Sequence, residues 1–91
     1  MRFYKSCTDV AKSIGALLNE EQMAAFVETD FDHLWEYQLT IGMWIRNHLL
    51  PHNAYLRQAL LILDYVTPNE MSLFLIEFAQ KYWKLERAEM T

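Results

Sequence analysis

Arg46 and Asn47 are the residues of this chain whose types and positions best suit binding chemistry. They interrupt a largely apolar stretch at positions 44–50, and a guanidinium among apolar neighbours needs a carboxylate or several carbonyl oxygens as partners. In a structural interpretation, which we favour, Arg46 reaches solvent or joins two helices through a carboxylate, and Asn47 caps backbone groups near its helix end. In a functional interpretation, Arg46 presents paired donors to the carboxylate or phosphate of a partner. The candidate internal carboxylates are Glu36, Asp64 and Glu70.

Gly42 lies four residues before Arg46 in the same predicted helix. A glycine inside a helix costs about 1 kcal/mol relative to alanine. Close approach of another helix is the usual reason for such a glycine, and a ligand groove is the alternative. The central helix is therefore expected to carry a structural motif made of Gly42, Trp44, Arg46 and Asn47.

Carboxylates are concentrated in one part of the chain. No Lys or Arg occurs from Ser13 to Ile45, and this stretch contains Glu20, Glu21, Glu28, Asp30, Asp32 and Glu36. It is either a solvated face that keeps an apolar protein in solution or a docking surface that attracts a basic partner. In the docking interpretation the candidate binding residues are Glu28, Asp30, Asp32, Glu36, Arg46 and Asn47.

No residue pattern predicts catalysis or a metal site. His33 and Glu36 are three residues apart and would share a helix face, but the Glu-x-x-His pairs of di-iron bundles are absent. Cys7 stands in no nucleophile motif, no serine lies in a strand-turn-helix elbow, and no glycine-rich phosphate loop occurs. We therefore predict that the protein is not an enzyme and uses no metal or cofactor.

Length, charge and composition narrow the protein class. Ninety-one residues form one domain, residues 1–91, and a net charge of −4 argues against direct nucleic-acid binding, which needs a basic face. The longest apolar run, at positions 59–63, is too short to cross a bilayer, and residues 1–20 lack the apolar core of a signal peptide. With a single cysteine, the chain is predicted to be a soluble cytoplasmic protein, a monomer or a homodimer, with no membrane association.

Apolar residues make up 53% of the chain and aromatic residues 14%. A domain of this size buries only a little over ~60% of the surface of its unfolded chain. Some of the aromatic side chains must therefore remain on the surface, and an exposed aromatic patch is expected.

The periodicity of the apolar residues predicts an all-α fold, a compact bundle of about five helices. A long buried central helix is expected at about residues 31–50, because this segment is apolar on nearly every face. Pro51 should end it, since the residue before proline is driven away from helical geometry.

Local signals predict where the other helices begin. Residues 1–7 are expected to form a short lead-in, with a β-segment at residues 1–5 as an alternative, and Ser6 or Thr8 should cap the first helix. The later helix starts are predicted at Asn19 with Gln22, Thr29 or Asp30, Asn53, and Thr67-Pro68-Asn69-Glu70. The last helix should turn one stripe inward, made of Met71, Phe74, Leu75, Phe78, Tyr82 and Leu85.

The segment Tyr37–Asn47, YQLTIGMWIRN, resembles a small bacterial domain family of unknown function whose long central helix carries a sequence close to HFGLGMWIRN. The segment Thr67–Ser72, TPNEMS, stands where that family has a second element before its last helix, and Leu18–Glu21 is similar to its leader. The resemblance covers roughly residues 8–80, and Tyr37 replaces a histidine usual in the family. It implies a helical fold and no particular reaction. The residues to which it gives weight are Gly42, Arg46 and Asn47.

These features predict a small protein-interaction module that binds a partner protein through an aromatic patch and an acidic face. Inhibitors, immunity proteins, antitoxins and phage anti-defence proteins, including anti-CRISPR proteins, commonly have this size and charge, which is an analogy and not a motif. The alternative is a small-ligand-binding domain with a pocket along the central helix near Gly42 and Arg46.

Overall fold

The computed structural model describes residues 2–89, which are almost entirely helical and contain no strand. The predicted all-α bundle is confirmed, and the molecule has a radius of gyration of 12.6 Å. Within the described range, no helix is both long and apolar enough to cross a lipid bilayer. The five α-helices are α1 (Arg2–Leu17), α2 (Glu20–Glu28), α3 (Ile41–Trp44), α4 (Ala54–Ile62) and α5 (Pro68–Glu89).

Helices α1 and α5 form the main packing layer. The ring of Phe3 lies 6.2 Å from that of Phe74, and the indole nitrogen of Trp83 donates a hydrogen bond of 2.8 Å to the carbonyl oxygen of Ala11. Early residues of α1 therefore contact the early part of α5, and later residues contact its later part, so the two helices run in the same direction. The buried face of α1 consists of Cys7, Val10, Ala11 and Ile14.

The sequence-based start of α1 is wrong. Neither Ser6 nor Thr8 caps it, and residues 2–7 are neither a lead-in nor a β-segment, because the helix already begins at Arg2; Met1 lies outside the described residues. The apolar face of α1 extends backwards through Cys7, which is fully buried, to Phe3, which packs against the core. This extra turn adds buried apolar surface to the helix, which stabilises it.

Residues 31–52 form an irregular helical segment that is interrupted by a turn at Thr40, not the single long α-helix that was predicted. Phe31–Leu39 is a 3₁₀ helix, and the α-helical part is only the four residues of α3. Ile45–Leu49 is a π-helix, in which the Leu50 amide donates to the Ile45 carbonyl oxygen, and Leu50–His52 is a 3₁₀ turn.

The predicted burial of the central segment is also wrong in its first half. Phe31, Trp35 and Leu39 are 59%, 61% and 77% exposed. A 3₁₀ helix has three residues per turn, so Phe31, Leu34 and Tyr37 share one line. Only Leu34 is buried and Tyr37 half-buried, because Phe31, at the start of this line, lies on the surface. An apolar sequence on every side of such a helix therefore leaves several large side chains on the surface.

The predicted N-caps of three helices are confirmed. Asn19 and Gln22 form a reciprocal capping box at α2, and the Asn53 side chain accepts from the Leu56 amide at α4. Thr67 and Glu70 cap α5 in the same reciprocal way. At the central segment, however, Asp30 is the N-cap residue and its side chain makes no capping hydrogen bond.

The inward face of α5 differs from the predicted stripe. Met71 and Leu75 are buried as expected, but Leu85 is 68% exposed. Two polar residues, Ser72 and Gln80, lie in the buried face. The side-chain nitrogen of Gln80 donates to the carbonyl oxygens of Phe26 and Thr29, at 3.1 and 2.6 Å, so it satisfies the end of α2, where helical carbonyl groups have no internal partner. The complete buried face is Met71, Ser72, Leu75, Ile76, Ala79 and Gln80.

Candidate functional site

Arg46 joins the central segment to the start of α5. One terminal nitrogen donates to Gln38 Oε1 and to Ser72 Oγ, both at 2.9 Å, and the other donates to the Gln38 carbonyl oxygen at 2.8 Å. The Gln38 side-chain nitrogen donates in turn to the Asn69 carbonyl oxygen at 2.8 Å. We call these residues the Arg46 network.

The predicted carboxylate partner of Arg46 is wrong, because the acceptors in the Arg46 network are all neutral. Glu36 pairs with His33 at 2.9 Å, and Glu70 caps α5. Arg46 forms no ion pair within residues 2–89. A guanidinium that is only half-buried keeps part of its hydration, so three neutral oxygen contacts suffice where a fully buried one would need a carboxylate.

Gly42 makes room for the Arg46 network. A Cβ atom at this position would lie 2.3 Å from Gln38 Oε1 and 2.9 Å from Arg46 Nη1. The nearest atoms thus belong to side chains one turn before and one turn after Gly42 in the same segment. The prediction that another helix approaches Gly42 closely is therefore wrong. The buried Gly42 is a consequence of the bond between Gln38 and Arg46 crossing directly over it.

Two other members of the predicted motif have simpler environments. Trp44 is half-buried and packs against the core. Asn47 is exposed, and its side chain caps no backbone group in the part of the chain that the structure describes. Its capping role is therefore not observed, and its amide faces solvent.

A groove beside the Arg46 network contains a second arginine, Arg57 of α4, and has a volume of about 450 Å³. Arg57 donates to the carbonyl oxygen of Leu50 and forms no ion pair with a described residue. We call this site the arginine groove. Its remaining lining is apolar: Leu50, Pro51, Leu61, Val66, Pro68 and Met71.

Sequence reasoning missed Gln38, Ser72 and Arg57. The available signals were weak: Ser72 is a polar residue on an otherwise apolar helix face, and Arg57 directly follows the buried Leu56. Gln38 lies eight residues before Arg46. Whether two side chains at this separation meet depends on the number of residues per turn in the helix between them. The change from 3₁₀ to α to π geometry, which the sequence did not predict, sets that spacing.

An aromatic patch covers the outer side of α5 and the start of α1. Two adjoining surface depressions share Phe78 and Lys81 in their linings. Tyr4 meets Phe78 edge-on at 5.7 Å between ring centroids, and Tyr65 lies 4.7 Å from Phe74. Tyr4 and Phe31 are each 59% exposed, whereas the other rings are half-buried and pack against the core, so the predicted aromatic patch is only partly exposed. Its members are Tyr4, Phe31, Tyr65, Phe74, Phe78 and Tyr82.

Carboxylates border the aromatic patch. Glu77, Glu86 and Glu89 line its depressions together with Lys81. Partial burial raises the pKa of Glu77, while burial and the neighbouring Glu86 carboxylate raise the pKa of Tyr82.

The four predicted acidic binding residues are all exposed. Asp30 and Asp32 directly flank Phe31 in the chain, and Phe31 belongs to the aromatic patch. The ion pair with Glu20, to which the Glu28 carboxylate adds, raises the pKa of Arg87, and the Glu36 carboxylate pairs with His33. Asp30 and Asp32 thus adjoin a member of the aromatic patch in sequence, although neither lines its depressions, while Arg46 and Asn47 lie in a different region of the chain.

Cys7 is not a reactive thiol. It is fully buried, and burial raises its pKa to about 11. The thiolate is the nucleophilic form of cysteine, so this side chain is a core residue at neutral pH.

In comparisons with known proteins, no family model, no curated protein and no solved structure matches the chain.

Proposed function

We propose that this protein is a small interaction module that docks on one partner protein through its aromatic patch, with acidic residues at the edge. The observation that carries the proposal is the exposed patch itself, in which Tyr4 and Phe31 are each 59% exposed beside the depressions around Phe78. Exposed apolar surface of this kind is costly in water and typically marks an interaction site.

The patch has the composition that protein interfaces favour. Aromatic side chains provide large contact areas and lose few rotamers on binding. Several of these rings are already held by edge or tilted contacts, such as Tyr4 on Phe78 and Tyr65 on Phe74. A partner therefore meets anchors that are largely ordered before it binds, which lowers the entropic cost of association.

Charge at the edge of the patch indicates the chemistry of the partner. Glu77, Glu86 and Glu89 line the depressions beside one lysine, Lys81, and Asp30 and Asp32 flank Phe31. The complementary partner surface is an apolar side chain with Lys or Arg around it, and the negative field accelerates its approach. Inhibitors, immunity proteins, antitoxins and phage anti-defence proteins are the analogous classes.

Site-specific photocrosslinking in the native host tests this proposal. A photoreactive phenylalanine analogue replaces Phe31 in one variant and Tyr4 in another, and crosslinked proteins are identified by mass spectrometry. We expect both positions to capture the same protein, because both side chains belong to one patch. Purified partner should then bind at least tenfold more weakly to Phe31→Asp than to the unmodified protein.

Ile62 provides the matched control. It is 83% exposed and lies at the end of α4, outside both depressions of the patch. Ile62→Asp should leave the affinity unchanged, and the analogue at Ile62 should not capture the partner. Equal capture from Phe31, Tyr4 and Ile62, or affinity indifferent to Phe31→Asp, would contradict the proposal.

A further inference from the structure

The arginine groove is a second feature of the surface that has no role in the docking proposed above. Arg46 and Arg57 both line it, and its other six lining side chains are apolar. None of the lining residues is acidic, although the whole chain has twelve Asp and Glu residues against eight Lys and Arg residues. The groove is thus a local positive site on a protein of net charge −4.

Both guanidinium groups retain free donors. Each guanidinium carries five N–H groups, of which Arg46 uses three within the Arg46 network. Arg57 directs one hydrogen bond to the carbonyl oxygen of Leu50. Neither arginine forms an ion pair with any of residues 2–89. Both positive charges line one groove, so an anion bound there would be attracted by both.

The protein holds the two arginines in place from several sides. Gly42 leaves the space in which Arg46 crosses to Gln38, and Ser72, which is fully buried, fixes the same nitrogen from α5. The π-helical turn that contains Arg46 is followed directly by Leu50, whose carbonyl oxygen accepts a hydrogen bond from Arg57. π-helical turns are rare and occur frequently at functional sites.

We propose that the arginine groove binds a small organic acid that has one carboxylate head and an unbranched apolar tail. Guanidinium groups recognise carboxylates through paired, charge-assisted hydrogen bonds. The tail packs along Leu61, Val66 and Met71, of which Leu61 and Val66 are 42% and 58% exposed without a ligand. A volume of about 450 Å³ is within the usual range of small-molecule sites, which are mostly apolar with a few polar groups.

Calorimetric titration with three simple probes tests both halves of this inference. Monomeric sodium octanoate supplies the head and the tail, sodium acetate supplies the head alone, and octanamide supplies an uncharged head on a tail of similar length. Octanoate should bind at least tenfold more tightly than either of the other two. Absence of octanoate binding would overturn the proposal, and equal binding of octanamide would overturn its anionic part.

Two neighbouring substitutions locate the binding site without disturbing the core. Leu61→Glu places a carboxylate in the groove, where it competes with the ligand for the arginines, and should weaken octanoate binding at least tenfold. Ile62→Glu is the matched control: it adds the same charge one residue later, at a side chain that is 83% exposed and outside the groove, and should leave binding unchanged. Equal affinities of the two variants would overturn the assignment to this groove.

A third substitution separates ligand binding from folding. Arg57→Gln removes one of the two positive charges of the groove while leaving Arg46 in its network. It should weaken octanoate binding at least tenfold with an intact helical circular dichroism spectrum, whereas unchanged affinity would overturn the role of Arg57. Because these probes require no partner protein, their outcome is independent of the docking function.

Discussion

Both glycines of this chain lie where a methyl group has no free space. A Cβ atom at Gly15 would lie 2.3 Å from the indole ring of Trp83, and one at Gly42 would lie 2.3 Å from Gln38 Oε1. Both residues lie in helices, where alanine would ordinarily be the more stable choice. At both positions the space is occupied by a side chain that makes a hydrogen bond of its own.

Gly42→Ala should destabilise the protein by about 0.5–2 kcal/mol. The new methyl group displaces Gln38 Oε1 and breaks its bond with Arg46, and a hydrogen bond to a charged group contributes about 1.5–3 kcal/mol. The gain in helix propensity returns only about 1 kcal/mol. Urea denaturation followed by circular dichroism measures the difference, and Gly42→Leu should cost more than Gly42→Ala.

A double-mutant cycle shows whether the Arg46 network is the cause. In a Gln38→Ala background the closest atom, Gln38 Oε1, is gone, and Arg46 Nη1 loses the acceptor that holds it over Gly42. Gly42→Ala should then be neutral or stabilising by up to about 1 kcal/mol. An equal cost in both backgrounds would show that something other than the network occupies the space over Gly42.

Gly15→Ala should also destabilise the protein, by about 1–2 kcal/mol after the gain in helix propensity is included. The indole of Trp83 cannot move away freely, because its nitrogen donates to the Ala11 carbonyl oxygen at 2.8 Å. Thermal melting measures the effect, and the indole N–H resonance should shift. Ser13→Ala, at an exposed position of the same helix, is the control and should be neutral or slightly stabilising.

At the scale of the elements, the end of α4 is held by a turn that usually requires glycine. The Asp64 amide donates to the Leu61 carbonyl oxygen and the Tyr65 amide to that of Leu60, both at 2.9 Å. This is the Schellman pattern, with Asp64 at the left-handed position and a φ of 74°. Aspartate tolerates this conformation better than most residues, but glycine adopts it without steric cost.

Asp64→Gly should therefore stabilise the protein by about 0.5–1 kcal/mol. Glycine removes the steric cost of the left-handed conformation, and the greater entropy of the unfolded glycine variant offsets part of this gain. Asp64→Ala, which cannot compensate through a side-chain hydrogen bond, should be the least stable of the three proteins. Urea denaturation measures the series. Equal stability of the alanine and glycine variants would contradict a left-handed conformation at this position.

At the scale of the whole molecule, the core formed by residues 2–89 contains one ionisable side chain, Cys7, whose titration reports on folding. Burial raises its pKa from 9.0 to about 11, so the folded state favours the protonated thiol. This contribution is fully present below about pH 9 and is lost as the pH rises towards 11, by about 3 kcal/mol. The stability of the unmodified protein should fall relative to that of Cys7→Ala over this window, because alanine cannot titrate. A constant difference between the two proteins would show that the thiol is accessible to water.

The charge distribution of the whole molecule predicts how fast a partner associates. Asp30 makes no capping hydrogen bond and adjoins Phe31 of the aromatic patch, so its charge can be changed with little effect on folding. The unmodified protein should associate fastest with a partner captured at Phe31, the Asp30→Asn variant more slowly and the Asp30→Lys variant most slowly. Added salt should reduce these differences, since exposed charges are screened within ~8–10 Å. Stopped-flow fluorescence measures the rates. Rates that do not depend on this charge would leave recognition to the aromatic rings alone.

The sequence by itself determined the helical class and several helix starts. The capping pairs Asn19 with Gln22 and Thr67 with Glu70 were predicted and are observed. Such signals are readable because a cap acts on backbone groups three residues away, whatever the rest of the chain does. The concentration of acidic residues at positions 20–36 and the excess of aromatic residues were readable for a similar reason, since they are properties of composition.

The tertiary structure alone decided which side chains meet. Arg46 was recognised as unusual, but its partner Ser72 lies 26 residues away and was not predicted. Trp83 contacts the helix that contains Gly15 through a bond spanning 72 residues. These contacts depend on how α1, the central segment and α5 are oriented relative to one another, and that orientation follows from the burial of all their apolar faces together. The irregular 3₁₀ and π geometry of residues 31–52 has the same origin, because a regular α-helix over this apolar segment would not place Leu34, Ile45 and Leu50 in the core at once.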